Sequence, residues 1–386
     1  MIPDSWNSVR LGQAVTLQRG FDLPHRDRRS GRIPVVSSSG ISGKHDKAQV
    51  TAPGVVTGRY GTIGEVFFLE EDFWPLNTTL YVRDFKGNDP LFVAYLLRTI
   101  DYHSHSGKSG VPGVNRNDLH GLDVKLPSHS EQRAIAGALS DVDGLIGALD
   151  KLIAKKRAIK QGTMQQLLTG KTRLPGFTAN WSHCTLGDLG TFSKGRGIKR
   201  DDVSDDGLPC IRYGELYTRY HNYIVTPSSR IAPVVARAAL PIKTGDLLFA
   251  GSGETAEEIG RCAAYLGSEP AYAGGDIIVL TPTGQNSLYL GHLMNHETVA
   301  AQKTRLGQGD AVVHISSRNL AQVEIELPPV DEQNAIATVL SDMDAEIAAL
   351  EYRRDKTKGI KQGMMQGLLT GRVRLVKPEV AQEATA

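Results

Sequence analysis

Two stretches of the chain carry a strict heptad-like alternation. In the first, Ile135, Leu139, Val142, Ile146, Leu149 and Ile153 are spaced 4, 3, 4, 3, 4. In the second, Ile336, Leu340, Met343, Ile347 and Leu350 follow the same rule. Such spacing puts one apolar stripe along an α-helix and is the seam pattern of a coiled coil. Ser128, three residues before Glu131, offers a capping box, and Thr-Gly at 169–170 and 370–371 supplies the stops. Each helix is then about 40 residues, or about 60 Å at 1.5 Å per residue. With one stripe apiece, the two are expected to pack on each other antiparallel.

Between these helices the pattern changes to short strand-like runs broken by Gly and Pro, such as "APGVVTGRYGTIGEVFFLE" and "KTGDLLFAGSGETAEEIGRCAAYL". Each is followed by a short segment expected to be an amphipathic helix, "PLFVAYLLRT" and "LYLGHLMNHE". The alternation predicts globule, long helix, globule, long helix, with boundaries at residues 1–127, 128–172, 173–327 and 328–375 and a frayed tail at 376–386. The class is α+β: two mixed α/β globules with twisted, mostly antiparallel sheets, separated by the paired helices in a pseudo-two-fold plan.

The plan is written in the residues themselves. At a constant offset of 201, Leu126–Leu174 matches Leu327–Leu375 at more than half of its positions. Both copies open on "LP", continue through "EQ.AIA..LSD.D" and carry "LLTG" near their ends. One duplication at about half the chain length means two equivalent halves rather than a solenoid. Trp6 and Trp181 also correspond, at an offset of 175, so the second globule carries about 26 more residues than the first. Six helical glycines, Gly137, Gly144, Gly147, Gly162, Gly359 and Gly363, each cost about 1 kcal/mol relative to alanine, which suggests close approach of another backbone.

Composition narrows the function. A chain of 386 residues with 40% apolar positions builds proper cores. No apolar run approaches the roughly 20 residues of a membrane helix, and the N-terminal "MIPDSWNSVRLG" lacks a signal-peptide core, so a soluble, cytoplasmic protein is expected. Cys184, Cys210 and Cys262 form no C-x-x-C pair and are expected to be small buried hydrophobes. The net charge of +2 announces no partner, yet basic residues clump at 25–32, 155–160 and 194–200, which suits phosphate contacts.

Catalytic readings fail one by one. Gly251, Gly253 and Ala256 fit G-x-G-x-x-A, but two carboxylates follow where pyrophosphate needs N–H donors, so a tight loop between strands is expected. "LPPV" (327–330) lacks the amide and the aromatic of an amino-methyltransferase motif and is expected to start a helix. Asp123 and Lys125 only imitate a nuclease site, because the equivalent positions are Glu324 and Glu326. His103, His105 and His129 lack carboxylates at ligand spacing, so no metal is expected. No phosphate-binding Gly-x-x-x-x-Gly-Lys-Ser/Thr loop occurs.

The doubled segments "LPSHSEQRAIAGALSDVDGLI…IKQGTMQQLLTGKTRL" and "LPPVDEQNAIATVLSDMDAEI…IKQGMMQGLLTGRVRL" resemble the repeat regions of type I restriction-modification specificity subunits. "VVTGRYGTIGEVFF", "WPLNTTLYV" and "GDLLFAGSGETAEEIG" resemble that family's target recognition domains. The resemblance implies a non-catalytic DNA-binding chain. Each globule would read one half of a bipartite, asymmetric target, and the helices would set the spacer and dock two methyltransferase subunits, with motor-nuclease subunits beyond them. S-adenosylmethionine, ATP and magnesium would belong to those partners, which methylate adenine at N6 and cleave foreign DNA. Alternatives consistent with the layout are a related two-component system, with methylation and cleavage in one partner chain, and a coiled-coil adaptor without DNA readout.

Residues suited to base edges or phosphates are Lys44, His45, Arg59, Tyr60, Lys108, Arg116 and Asn117 in the first globule. In the second they are Lys194, Arg196, Lys199, Arg200, Arg212, Tyr213, Ser252, Glu254, Arg305, Gln308 and Arg318. Arg157, Lys160 and Lys361 on the helices are expected to be solvated.

Overall fold

The computed structural model describes residues 6–106, 112–309 and 312–375. The chain divides into two compact units, one formed by Met1–Lys151 with Glu351–Ala386 and the other by Leu152–Leu350. Each unit therefore combines one globule with a piece of both long helices, His129–Leu167 and Val330–Leu368. Among the described residues no helix is long and apolar enough to cross a membrane, and no cluster of three His, Cys, Asp or Glu side chains could hold a metal.

In the first unit a four-stranded antiparallel sheet runs in the order Thr16–Arg19, Thr79–Asp84, Gly54–Gly58, Val66–Leu69. Beside it lies a three-stranded sheet in which Ile33–Ser37 pairs antiparallel with Gly40–His45 and parallel with Trp74–Pro75. The second unit repeats the larger sheet as Gly190–Lys194, Ile277–Pro282, Leu247–Ala250, Cys262–Tyr265, with Tyr223–Ile224 added at the edge. Its other sheet has grown to five strands, again around a parallel pair, here Leu208–Ile211 with Ala271–Ala273. Ser229–Ile231 takes the place of Gly40–His45, and the two added strands, Val203–Ser204 and Leu240–Ile242, are part of the extra length expected from the two offsets.

The segments "PLFVAYLL" and "SLYLGHLM" are helices, Pro90–Leu97 and Ser287–Met294, but they are not amphipathic. Phe92–Leu97 and Tyr289–Met294 are buried without interruption, because each helix is enclosed by its sheet on one side and by a long helix on the other. Ile135 and Leu139 lie fully buried in the first globule's core, packed with Leu368 and Leu369. Ile336 and Leu340 do the same in the second, with Leu167 and Leu168. Leu149, Ile153 and Ile347 are buried, while Val142, Ile146, Met343 and Leu350 are half-buried.

Within each unit the helix segments run antiparallel, and ion pairs mark the register. In the first, Lys361 Nζ lies 2.6 Å from Asp143, and Arg354 lies 3.5 Å from Asp150. In the second, Lys156 lies 2.7 Å from Glu346, and Lys160 pairs with Asp344. Lys160 and Lys361 are thus not solvated: Lys361 also sits 5.6 Å from the Tyr95 ring centre, and Tyr95 Oη donates to Asp143 at 2.7 Å. The six helical glycines admit no neighbouring backbone either. A Cβ at Gly137, Gly144, Gly147, Gly162, Gly359 or Gly363 would meet nothing within 4 Å. Gly170 and Gly371 do have the expected role, at φ 67° and 72°, where the chain turns out of each helix.

The repeated Glu-Gln dipeptide locks helix to globule twice. Trp6 Nε1 donates to Glu131 at 3.2 Å, and Arg374 Nη2 donates to the same carboxylate at 2.8 Å. Trp181 Nε1 donates to Glu332 at 3.3 Å, and Arg173 pairs with that carboxylate. Both glutamates are almost wholly buried, so each needs its arginine. Ser128 Oγ accepts from Glu131 N at 3.4 Å, but the glutamate side chain turns to Trp6 and Arg374 instead of completing a capping box. Gln132 accepts from Asp89 N at 2.9 Å and donates to Asn88 and Pro127; Gln333 accepts from Asn286 N at 3.0 Å and donates to Gln285 and Pro328. Asp89 and Asn286 in turn cap the two buried helices.

Candidate nucleic-acid interface

The central strand of each globule leads into a loop that is pinned to the segment before a short helix. In the first unit Thr78 O accepts from both Arg59 N and Tyr60 N, at 2.8 and 3.1 Å. Arg59 O accepts from Val114 N at 2.9 Å, and Tyr60 bridges Gly113. A side chain at 113 would strike the Tyr60 ring, 2.5 Å from an added Cβ, so glycine is required by close approach. The Arg59 guanidinium lies over Tyr60, 4.5 Å from its centre, and the ring is 45% exposed. Two residues beyond Val114 begins the helix Arg116–His120, capped by Asn115, with Arg116 and Asn117 exposed in its first turn. Four of the expected residues thus share one loop cluster. Lys44 is exposed on a separate hairpin, and Lys108 lies outside the described residues.

His45 is a correction. It is only 5% exposed, accepts from Arg29 N at Nδ1 (3.0 Å), stands edge-on to Trp74 and has Nε2 3.2 Å from Asp46. An imidazole committed on both nitrogens holds its hairpin together and does not meet a base.

The second unit builds the equivalent loop differently. Strand Leu247–Ala250 continues into Ser252–Gly253, which pairs antiparallel with Val313–His314. Leu247–Ala250 also pairs antiparallel with Cys262–Tyr265, so Gly251–Gly260 is a loop between adjacent strands, not the strand-to-helix turn of a dinucleotide fold. Ser252 is buried, its Oγ 2.9 Å from His314 Nδ1, so the serine is a support and not itself a base contact. Tyr217 Oη donates to Ser252 O at 2.9 Å, and burial pushes that phenol up to about 12, keeping it a donor.

Gln308 and His314 exchange both backbone hydrogen bonds, at 2.9 and 2.8 Å. Beside them opens a cleft of about 360 Å³ lined by Lys194, Asp276, Gln308, His314, Ser316, Ser317 and Asn319. Arg318 is exposed on the short helix Ser317–Leu320, Arg305 on Glu297–Leu306, and Arg196, Lys199 and Arg200 on the segment leaving Gly190–Lys194. Glu254 and Tyr213 are exposed; Arg212 is half-buried, 3.7 Å from Glu215. Of the expected residues, Lys194 and Gln308 converge in the cleft and Ser252 supports it. His314, Asp276, Ser316, Ser317 and Asn319 were not anticipated. The offset of 201 would have pointed to part of this group, since it equates Asn115, Arg116 and Asn117 with Ser316, Ser317 and Arg318.

Two like frames that each present arginine and amide side chains beside a pinned loop define a duplicated binding chain. Residues 3–160 and 178–357 match the type I restriction modification DNA specificity domain, and the chain belongs to that family. It is 22% identical to the MjaVIII type I restriction enzyme specificity subunit of Methanocaldococcus jannaschii, over 97% of this chain and 94% of that one. It is 25% identical to the putative MjaX specificity subunit of the same organism, over 74% and 69%. Among solved structures it shares its fold with the type I S subunit from M. genitalium, at TM-score 0.66 and 16% identity, covering 95% of this chain and 96% of that one. A chain from a study of complex assembly and conformational transition of the type I R-M system aligns at TM-score 0.56 and 18% identity, covering 97% and 100%. This is a non-catalytic specificity subunit, which supplies DNA sequence specificity to a type I restriction-modification system and acts with DNA and other subunits.

Proposed function

We propose that the two globules are target recognition domains that read the two halves of a bipartite, asymmetric DNA target. The long helices set the unspecified spacer and dock two methyltransferase subunits, and through them the motor-nuclease subunits. S-adenosylmethionine, ATP and magnesium are held by those partners; this chain brings the address. Half-sites about one helical turn apart present the same groove to one side of a protein, and a spacer of fixed length converts that separation into specificity. The observation that carries this reading is the pairing of a repeated frame with unlike loops. Trp, Glu, Arg and Gln recur at equivalent places, whereas Arg59 and Tyr60 stand where the second unit has Gly251 and Ser252.

The test is single-molecule sequencing of DNA from a methylation-free host that expresses this chain with its methyltransferase, scored for N6-methyladenine. A split, asymmetric motif methylated on both strands is expected. Exchange of residues 173–327 for another recognition domain should then change one half-site only. A compact motif, or methylation that persists without this chain, would overturn the reading.

A further inference from the structure

We propose that His314 and Gln308 read base edges in the half-site met by the second unit, and that Ser252 is the positioning residue that aims the imidazole. The proposal rests on the function proposed above and deepens it.

The backbone holds the two side chains in place. Residues 308 and 314 are bound to each other through both N–H groups, and the strand carrying His314 is paired with Ser252–Gly253. That second strand is itself fixed, because Gly251 N donates to Asp276 O at 2.7 Å and Ile315 N donates to Gly251 O at 3.0 Å. Base readout needs this rigidity, since a donor displaced by an ångström no longer separates one base from another.

The imidazole is also prepared chemically. Ser252 Oγ lies 2.9 Å from His314 Nδ1; in the arrangement proposed here the hydroxyl donates to Nδ1, which assigns the ring N–H to Nε2 as the donor offered to a base. Such a donor suits guanine O6 or N7, or thymine O4. The contrast with the fold's structural histidines is direct. His292 is fully buried against Asn222 and pushed down to about 3 by desolvation, and His45 is enclosed by Trp74. His314 is exposed and lines a cleft.

The lining selects a base over a phosphate. Asp276 would repel a phosphate, but its carboxylate can accept from the exocyclic amine of cytosine or adenine. Gln308 adds an amide able to bind adenine through two hydrogen bonds, and Lys194 supplies a positive charge for the neighbouring backbone.

The experiment is methylation-motif sequencing as above, combined with binding to duplexes substituted at each position of the half-site. The full chain is used with its methyltransferase. For His314→Ala, discrimination at one base pair of one half-site should fall roughly 5-fold, the lower end of the range for a bidentate base contact because the imidazole offers one donor, with the other half-site unchanged. Retention of that other half-site distinguishes lost readout from a misfolded chain, and His314→Gln, which keeps an amide donor, should shift the preferred base at the same position. Ser252→Ala should relax that position more weakly, and Ser252→Thr should restore it. Arg196→Ala should instead weaken binding evenly across sequences. A wild-type chain with a split motif whose His314 and Gln308 variants keep the same motif and discrimination would overturn this proposal and leave the proposed function standing. A wild-type chain with no split motif would overturn both.

Discussion

The two units agree where the helices enter and differ where the loops end. On the shared side, Trp6, Glu131 and Arg374 in one unit do what Trp181, Glu332 and Arg173 do in the other, and Gln132 and Gln333 brace matching capping residues. On the divergent side, a stacked Arg59–Tyr60 pair faces solvent in one unit, whereas the other has a buried Ser252 behind an exposed His314. A buried carboxylate with fixed partners tolerates little change, while an exposed loop pinned through backbone atoms can change side chains freely. The frame can therefore stay the same in both units while the side chains carried on its loops vary.

The largest effect is expected from Leu139→Ala and Leu340→Ala, equivalent positions that are both fully buried. Each should destabilise its own unit by about 2–5 kcal/mol in denaturant unfolding. A large loss at one and none at the other would show that the two frames are not energetically equivalent. Next come Gln132→Ala and Gln333→Ala, which leave the backbone N–H of Asp89 or Asn286 without its acceptor. Each should cost about 1–3 kcal/mol, read from the same unfolding curves.

A third test separates the units by pH. Lys303, in the second unit alone, is fully buried, donates to Gly260 O and is pushed down to about 8 by desolvation. The unfolded lysine keeps its proton to about 10.4, so between those values the unfolded state binds more protons and stability gains from rising pH. Below about pH 8 both states are protonated and this contribution is flat. Wild type should therefore gain on Lys303→Met as pH rises from 8 to 10, a difference measured by thermal melts; parallel curves would show the lysine to be solvated. The smallest effect is expected from Gly144→Ala and Gly363→Ala. With open space around each, alanine should stabilise by about 0.5–1 kcal/mol, and destabilisation of the isolated chain would contradict the open surroundings.

Much of the frame was legible because it rests on periodicity and repetition. The heptad spacing located both long helices, and the offset of 201 exposed the duplication without any knowledge of contacts. Glu131 and Gln132 were visible as a repeated dipeptide, but their purpose was not, since their partners Asn88, Trp6 and Arg374 are far away in sequence. The glycines were misread because a helical glycine has the same local signature whether it faces a backbone or open space. The pinned loops were legible only as composition. His45 looked exposed within a Gly-rich run and is buried under Trp74, while nothing local marks His314, whose partner Ser252 is 62 residues away and reaches it only through a strand pair.

The discontinuous first unit has a consequence in time. Residues Leu152–Leu350 form one unbroken stretch, whereas the first unit joins residues that precede Leu152 to the helix end and turn that run from Glu351 to Leu375. A polypeptide emerging N-terminus first at about 5–20 residues per second therefore starts this unit first and finishes it last. Until Arg374 has left the ribosome, Glu131 stands without the guanidinium that neutralises it, whereas every residue of the second unit has by then been made.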